Sequence, residues 1–589
     1  MTSKIDNEIS NNSHPLTEMN SDDRFDEANQ EQNDTKKNSE VSRLKEKSDA
    51  IKYGLFDAHS NQNIQDNDDV ATIDPNIEPY FQSYLSIPHA ENYAFSWRRL
   101  WTFTGPGFLM SIAYLDPGNI ESDLQSGTAT KYTLLWVLLW STIMGLLMQR
   151  LAARLGVVTG LHLAEVCYRR YSTLPRLLLW IMIEIAIIGS DMQEVIGTAI
   201  SLYLLSNGKI PLYIGVLITI MDTFTFLFLD KYGLRKLEAF FGFLITIMAV
   251  TFGYQYYIMK PEILGVAEGL LIPSCHKCDS DTVLKAIGII GAIIMPHNLY
   301  LHSALVKSRR IDREKREEVK DANRYVFIES AIALGTSLLI NIAVTAVFAH
   351  GLYEKNNRQI HDICLHSDVP DKVFPNNTLP VDVNIYKAGI FLGCTFGMHA
   401  LYIWAIGIFA SGQSSTMTGT YSGQFAMEGF LNLHWCRWKR VLLTRTIAII
   451  PTVLIAFQSM SDLTTMNDLL NALMSLQLPF ALFPVLTFTS SRKVMGDFVN
   501  GPWTKLLASL LSVIVIVINL YFVYDYTSKH LISHFLIYVL LITFFTFYII
   551  FVLFLTGSYL SVLGFEWING IPYLGKYFRE SDYNEYRYQ

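Results

Sequence analysis

About twelve apolar segments, each long enough to cross a lipid bilayer, restrict the fold of this chain more than any other feature. Only 17% of its 589 residues are charged, against about 25% in a typical soluble domain. Backbone polar groups inside a bilayer must be satisfied internally, which long apolar segments achieve as helices. We therefore predict an all-α polytopic membrane protein. In order, its predicted segments lie near 102–125, 133–156, 176–204, 211–229, 237–258, 283–306, 326–351, 386–411, 441–459, 466–488, 504–525 and 531–555.

The composition divides the chain into three regions. Residues 1–95 are rich in Asn, Asp, Ser, Glu and Lys, and this mixture buries too little apolar surface to fold alone, so we expect a disordered tail. Residues 96–556 form the transmembrane domain, with a large loop at 352–384, and residues 557–589 form a second tail. The sequence YLSV at 559–562 matches a sorting signal read by adaptor proteins, although such short patterns often arise by chance.

Lysine and arginine concentrate in alternate loops, which predicts the orientation of the chain. The richest loop is the run KSRRIDREKREEVKDANR at 307–324. Its interleaved acids and its position favour a solvated loop that sets topology over a patch for lipid or nucleic acid. The loop at 352–384 contains a sequon that begins at Asn376. We expect both termini in the cytosol and Asn376 glycosylated outside, while sequons at Asn11 and Asn33 stay unmodified.

Six cysteines are too few for a disulfide scaffold. Cys275 and Cys278, in the sequence CHKC, look like half of a zinc site, but no second Cys-x-x-Cys accompanies them. A disulfide between their outer loop and Cys364 in the 352–384 loop is favoured over metal binding, with one cysteine left over. The other cysteines are expected to be reduced: Cys167, Cys394 and Cys436.

Two apolar segments are interrupted by proline beside polar side chains. Segment one contains Leu-Asp-Pro-Gly-Asn at 115–119, and segment six contains Met-Pro-His-Asn at 295–298. The interruptions recur five segments apart, as expected for two halves of inverted orientation. Paired interruptions of this kind indicate a midplane binding site in a secondary transporter. Two unrelated proline kinks are the alternative, but polar ligands beside both prolines favour a shared site.

These interruptions supply ligands suited to a transition-metal ion. Asp116 offers a carboxylate and Asn119 an amide oxygen, while Met295 offers a thioether. The carbonyl of Ala292 is free to bind because Pro296 has no N–H to donate to it. Oxygen ligands with one soft sulfur favour Fe(II), Mn(II), Co(II) or Cd(II) over Mg(II) and Ca(II). Alone, Met295 would more often be a packing residue; its pairing with Asp116 indicates a ligand.

An acidic pair in segment three predicts a route for protons. Asp191 and Glu194 are three residues apart and share one face of a helix. Carboxylates inside the bilayer need a partner or a proton, so a proton relay and a structural salt bridge to Arg445 in segment nine are both open. His297, which follows Pro296, is a further candidate for proton coupling, or it bonds only within the broken helix.

Several motifs resemble those of the NRAMP proton-coupled divalent-metal transporters: DPGNIESDLQSG in segment one, MPHN in segment six and GQSSTMTGTYSGQF at 412–425. Longer runs, such as LGVVTGLHLAEVC and IIGSDMQEVIGTA, look like the animal iron-transporting branch. The resemblance covers about residues 80–560. It implies a LeuT-like fold with two inverted repeats of five helices, in which helices one and six are broken, and it implies import of metal ions together with protons.

The resemblance also implies roles for individual residues. A glutamine from segment ten would reach the metal in occluded states; its match is Gln477 in SLQLPFA, and Gln413 and Gln424 are alternatives. For the acidic pair, the resemblance favours a relay in which Arg445 also lines the inner proton exit. The implied metal ligands are Asp116, Asn119, Met295 and the backbone carbonyl of Ala292.

Other classes of protein fit these motifs less well. An amino-acid or other cation-coupled transporter on the same fold is the nearest alternative, but Asp116 would repel a substrate carboxylate. A membrane metalloenzyme needs a set such as His-Glu-x-x-His, which the sequence lacks, and a cation channel needs a pore loop or acidic rings. We expect no enzyme activity, no prosthetic group and no nucleic-acid partner. A monomer in the plasma membrane or an endosomal membrane is expected.

Overall fold

A computed structural model describes residues 85–87, 95–229, 234–275, 279–367, 369, 373–433, 437–457, 460–530, 535–571 and 575–578. Most of the predicted N-terminal tail lies outside these residues, with both of its sequons. Cys278, Cys436 and the end of the C-terminal tail also lie outside them.

Helices make up most of the described structure, with one very short pair of strands. Strand β1 (Leu85–Ser86) pairs in parallel with β2 (Arg309–Arg310), and 3-10 turns lie at Val306–Ser308, Gly496–Phe498 and Glu566–Gly570. The first eleven helices are α1 (Trp97–Phe103), α2 (Pro106–Ile112), α3 (Pro117–Thr130), α4 (Leu135–Thr159), α5 (Leu163–Arg170), α6 (Thr173–Leu205), α7 (Leu212–Leu229), α8 (Leu234–Met259), α9 (Ile263–Leu271), α10 (Ser280–Ile293) and α11 (Pro296–Leu305). The others are α12 (Arg316–Leu352), α13 (Asn357–Cys364), α14 (Ile385–Phe396), α15 (Met398–Leu431), α16 (Arg437–Ala456), α17 (Met460–Gln477), α18 (Pro479–Ser490), α19 (Arg492–Met495), α20 (Pro502–His530), α21 (Phe535–Leu563) and α22 (Gly575–Phe578).

Each of the predicted apolar segments contains at least one helix. Within the described residues, eight helical stretches are long and apolar enough to cross a membrane, and they correspond to segments two, three, five, six, seven, ten, eleven and twelve. Among the described residues, segments four, eight and nine contain shorter apolar helices, and segment one is divided into short helices. The prediction of an all-α polytopic membrane protein is therefore confirmed, including the interruptions in segments one and six.

Segment eight has an interruption that the sequence analysis did not predict. Helix α14 ends at Phe396, and α15 begins at Met398 and continues to Leu431, well past the predicted limit. Between them Gly397 has φ +88°, in the region that side chains with a Cβ rarely adopt. Because α15 continues as one long helix, its polar run at 412–425 faces α6 in the centre of the bundle.

Basic loops meet at one end of the helix bundle, which we call the basic end. Lys307, after segment six, pairs with Glu165 of α5 at 2.7 Å, and Arg316 pairs with Asp497, after segment ten, at 3.7 Å. The expectation of a fully solvated run at 307–324 is wrong for Arg309. Its side chain is 1% exposed because it reaches inward to Glu238 at 2.8 Å and to the carbonyl of Thr104 at 2.7 Å.

The disulfide pattern differs from the prediction. Cys364 at the end of α13 is bonded to Cys394 in α14, so a Cys364 bond to the 275–278 loop and a reduced Cys394 are both wrong. The pairing depends on tertiary structure, because α13 packs against α14 and places the Cα atoms of Cys364 and Cys394 4.8 Å apart. Cys275 is also disulfide-bonded. Cys167 is reduced and buried, as expected.

The tetrapeptide at 559–562 lies within α21 rather than in an open tail. Tyr559 is buried at 2% exposure, and its hydroxyl lies 2.9 Å from that of Ser509. An adaptor that reads an extended tyrosine motif would find neither the conformation nor the side chain accessible here.

Candidate metal and proton sites

The first interruption holds a buried carboxylate at the start of a helix. Asp116 is the N-cap of α3 in an extended conformation, and Pro117 occupies the first helical position, where its missing N–H costs nothing. Asp116 Oδ1 accepts hydrogen bonds from the backbone N–H of Asn119 at 3.1 Å and from the Asn119 side-chain amide. Asp116 Oδ2 is buried and accepts no hydrogen bond from the described residues. One carboxylate oxygen is thus fixed by the helix, and the other is available to a ligand.

Neighbouring helices stabilise the backbone of this interruption. Asn341 of α12 donates to the carbonyl of Tyr114 at 3.1 Å, and Ser411 of α15 donates to the carbonyl of Leu115. Irregular backbone at membrane depth persists only where such groups are satisfied or face a cavity. The unwound turn is therefore stabilised by hydrogen bonds from both α12 and α15.

At the second interruption a thioether lies where the first has a carboxylate. Helix α10 ends at Ile293, and Met295 is the extended N-cap of α11, with no side-chain hydrogen bond capping the helix. Met295 is 2% exposed, and Ala292, in the last turn of α10, is fully buried. Pro296 occupies the position whose N–H would otherwise bond to the Ala292 carbonyl, as predicted.

Both interruptions lie side by side and share a neighbour in segment ten. Helix α10 packs against α3, and α11 packs against α2. Asn471 of α17 donates to the carbonyl of Gly118, beside Asp116, at 3.3 Å. Its own carbonyl approaches Gly291, beside Ala292, so closely that no side chain would fit there. Asn471 therefore connects the two interruptions.

Gln193 extends this connection to the acidic pair of segment three. Its side-chain amide donates to Asn471 Oδ1 at 2.6 Å, and a Cβ on Gly118 would lie 2.7 Å from the same nitrogen. The glycine of the first interruption is thus what lets α6 approach α3. Sequence reasoning missed Asn471 and Gln193. Their only signal was a polar side chain within an apolar segment.

The acidic pair shares a single arginine. Nη2 of Arg445 in α16 lies 3.1 Å from Glu194 and 3.5 Å from Asp191, and it donates to the carbonyl of Thr416 at 3.0 Å. Ser190 donates to the other oxygen of Glu194 at 3.4 Å. Asp191, Glu194 and Arg445 are each at most 3% exposed. A salt bridge is present, and one guanidinium faces two carboxylates, so a proton on either acid would balance the charge.

Gln477 and His297 do not bond to the candidate metal ligands in this structure. Gln477 ends α17 and is buried, and its Oε1 accepts no hydrogen bond from the described residues. His297 is in the first turn of α11, and its Nδ1 is likewise buried without a hydrogen-bond partner in the described part of the chain. Of the alternative glutamines, Gln424 donates to Glu428 at 2.9 Å.

The candidate ligands differ from a hydrolytic metal centre. Within the described ranges, no three His, Cys, Asp or Glu side chains converge as they do around catalytic zinc. The set at the interruptions combines one carboxylate, one amide, one carbonyl and one thioether. Such a mixed, singly charged set suits reversible binding of a soft-to-borderline divalent ion.

Comparison with known proteins places most of the membrane domain in one family. Residues 107–525 match the model described as Nramp, natural resistance-associated macrophage protein-like. The chain is 61% identical over 462 residues to natural resistance-associated macrophage protein 2 of Rattus norvegicus, covering 78% of this chain and 81% of that protein. It is 63% identical over 441 residues to Protein Malvolio of Drosophila melanogaster, covering 73% and 74% respectively.

A solved structure has the same fold. A mutant of the manganese transporter of Eremococcus coleocola is 30% identical, with a TM-score of 0.68, and the match covers 82% of this chain and 97% of that chain. The predicted LeuT-like helical fold with helices one and six broken is thereby confirmed. The chain belongs to the Nramp family, in its animal branch, and is a membrane transporter rather than an enzyme.

Proposed function

We propose that this protein imports divalent transition-metal ions into the cytosol together with protons, by alternating access. Fe²⁺ and Mn²⁺ are the main substrates, and Co²⁺ and Cd²⁺ are also carried. The observation that carries the proposal is Oδ2 of Asp116, which has no hydrogen-bond partner in the described part of the chain and is buried at an interruption that packs against the Met295 interruption. The similarity to a manganese transporter supports a metal substrate.

Four groups form the proposed metal site: the Asp116 carboxylate, the Asn119 amide oxygen, the Ala292 carbonyl and the Met295 thioether. A dehydrated cation in the membrane needs one anionic ligand, which Asp116 supplies, and neutral ligands for the remaining positions. The thioether disfavours Mg²⁺ and Ca²⁺, which take oxygen ligands. Gln477, buried with an unpaired oxygen among the described residues, joins the site when α17 moves inward in the occluded state.

Proton coupling starts at Asp116 and passes to the acidic pair. A carboxylate must be ionised to bind a metal, so metal binding releases any proton held by Asp116. Gln193 and Asn471 connect the first interruption to α6, which carries Asp191 and Glu194. Since Arg445 balances only one of those acids, the other can receive the proton and release it inward. His297, one residue after Pro296, is a second candidate for proton transfer.

Orientation follows from the two ends of the bundle. We place the basic end in the cytosol, with both termini, by the positive-inside rule. Asn376 then lies outside; it is exposed, with its Oδ1 bonded to Arg358 at 3.0 Å, and is a glycosylation site. Each inward positive charge gains about 2.3 kcal/mol per 100 mV of membrane potential. An acidic exterior or endosomal lumen adds a proton gradient, and the protein works as a monomer at the cell surface or in endosomes.

Uptake into proteoliposomes tests this function. Radiolabelled iron and manganese are offered at acidic and neutral external pH to vesicles with the wild type, with Asp116→Ala, or without protein. We expect saturable uptake that acid stimulates and that Asp116→Ala abolishes. Metal uptake that does not depend on the proton gradient would contradict proton coupling. Transport of an amino acid without metal would favour the alternative transporter class.

A further inference from the structure

A cavity of about 320 Å³ at the basic end is lined by an unusual number of cations. It lies between the last turns of α4 and the first turns of α12, beside the 3-10 turn that contains Phe498. We call it the basic pocket, defined by Arg150, Arg154, Lys320 and Arg324. Among the described residues that line it, none is acidic. Its size is that of a small-ligand site.

Nearby acids leave the three arginines of the pocket without an ion pair in the described part of the chain. Glu317 lies 3.8 Å from Lys320, whereas Asp321 pairs with Arg99 at 2.6 Å and Asp497 pairs with Arg316. Asp321 also acts electrostatically on Arg324, but from beyond ion-pair distance. Three guanidinium groups therefore share one concave site in which no carboxylate of the described residues contacts them.

Arg154 is the anchor of the pocket. Its Nη2 donates to Asn500, which fixes the side chain, while its Nε is buried and donates to no acceptor among the described residues. Arg150 stacks over Phe327 at 4.7 Å from the ring centre, and Arg324 lies 5.8 Å from that of Phe95. These contacts hold the guanidinium groups in place but satisfy few of their N–H donors, so an anion here would accept several bonds at once.

The surroundings of the pocket indicate the level of the lipid headgroups. Trp97 and Trp101 of α1 are 74% exposed, and Trp503 at the start of α20 is 81% exposed. All three are at this end: α1 packs against α12, and α20 begins beside Asn500, the partner of Arg154. Exposed tryptophans of a membrane protein gather at the interface between lipid and water.

We propose that the basic pocket binds the phosphate group of an anionic phospholipid from the leaflet at the basic end. Guanidinium groups bind phosphate oxygens in pairs of parallel hydrogen bonds, and basic pockets between transmembrane helices hold lipid headgroups of this kind. A soluble phosphate ester shares this chemistry, but the interfacial position favours a lipid. The lipid joins α4 to α12, the helix whose Asn341 supports the first interruption.

Thermal unfolding of the purified full-length protein in neutral detergent tests the proposal. Four additions are compared: phosphatidylinositol 4,5-bisphosphate, phosphatidylcholine, inorganic phosphate and a soluble inositol phosphate. We expect the anionic lipid alone to raise the midpoint, with an effect that weakens as salt is added. If the soluble anions raise the unfolding midpoint as much as the lipid does, the assignment to a lipid is wrong. If no addition raises the midpoint, the basic pocket is not an anion-binding site.

Variants locate the binding. Arg154→Gln should weaken lipid binding by about tenfold or more, whereas Arg492→Gln, which removes an exposed charge at the same end but outside the pocket, should leave it unchanged. Arg324→Gln, at an exposed position, is a second pocket variant that avoids any folding defect of Arg154→Gln. If Arg154→Gln, Arg324→Gln and Arg492→Gln all change lipid binding to the same extent, the proposal is contradicted.

Discussion

The two broken helices bring different chemistry to one place. At the first, Asp116 caps its own helix through Oδ1, while its Oδ2 accepts no hydrogen bond from the described residues, and side chains of α12 and α15 bond to the unwound carbonyls. At the second, Met295 has no capping bond, and the turn is held by close packing of α10 on α17. The first interruption is charged and fixed by hydrogen bonds, whereas the second is neutral and fixed by packing.

In the proposed metal site, this difference would separate affinity from selectivity. A carboxylate attracts any cation, so we expect the first interruption to supply most of the binding energy but little discrimination. A thioether adds little charge but prefers softer ions, so we expect the second interruption to decide which ions are retained. Substitutions at the two places should therefore change different quantities.

The largest effect is expected at the carboxylate. Asp116→Asn keeps the shape of the side chain but removes its charge, and uptake of every metal should fall by at least about 100-fold, since even supporting groups around a metal are worth 10- to 100-fold. Initial uptake rates, corrected for protein in the membrane, measure this. Asp497→Asn, at an exposed carboxylate of the basic end, is the matched control and should transport normally. Rapid uptake by Asp116→Asn would show that the charge is not the anchor.

Removing the arginine that contacts the acidic pair should lower the stability of the protein. Arg445→Gln removes the cation that both buried carboxylates contact. Breaking a buried ion pair costs about 3–5 kcal/mol, so the melting temperature of the purified protein should fall sharply. Adding Glu194→Gln to that variant removes one of the two acids and should restore part of the loss. If the double variant is less stable than Arg445→Gln alone, the two acids do not repel each other.

The thioether should control selectivity rather than rate. With Met295→Ala, manganese uptake should stay within about tenfold of the wild type, while competition by Ca²⁺ increases because the preference for soft ions is lost. Met295→Leu keeps the volume without sulfur and should lose discrimination in the same way. Competition assays with manganese and excess calcium measure it. Calcium exclusion that persists in both variants would show that sulfur is not the filter.

The smallest effect is expected at the residue that joins the interruptions. Asn471→Ala removes the bonds to Gly118 and Gln193, and a typical hydrogen bond is worth about 0.5–1.5 kcal/mol net. KM should therefore rise by the same factor for every metal, and by only a few-fold. Asn467→Ala, one turn earlier, is the control, because the Asn467 side-chain nitrogen donates to none of the described residues. A change in metal preference with Asn471→Ala would place Asn471 in the selective half of the site.

The sequence predicted the two interruptions because their cause is local. Proline lacks an N–H wherever it stands, and Asp116, Asn119 and Met295 are its neighbours in the chain. Asn471 and Gln193 could not be assigned in this way, since their partners lie far away in sequence and are defined only by helix packing. The disulfide of Cys364 was predicted wrongly for the same reason.

The interruption at Gly397 lacks the signal that marked the other two. It contains no proline and no charged neighbour, only a glycine, and glycines are common in membrane helices. Its positive φ, at the junction of α14 and α15, is visible only in the structure. Buried polar contacts between distant helices are thus the part of this protein that required a structure.

Sulfur coordination of a bound metal would show whether the two interruptions form one metal site. X-ray absorption by Cd²⁺ bound to the purified protein distinguishes sulfur from oxygen ligands, and Met295→Ala identifies which sulfur is involved. We expect one sulfur in the first coordination shell of the wild type, its loss in Met295→Ala, and no metal bound by Asp116→Ala. A shell of oxygen alone in the wild type, or a sulfur that remains in Met295→Ala, would contradict it.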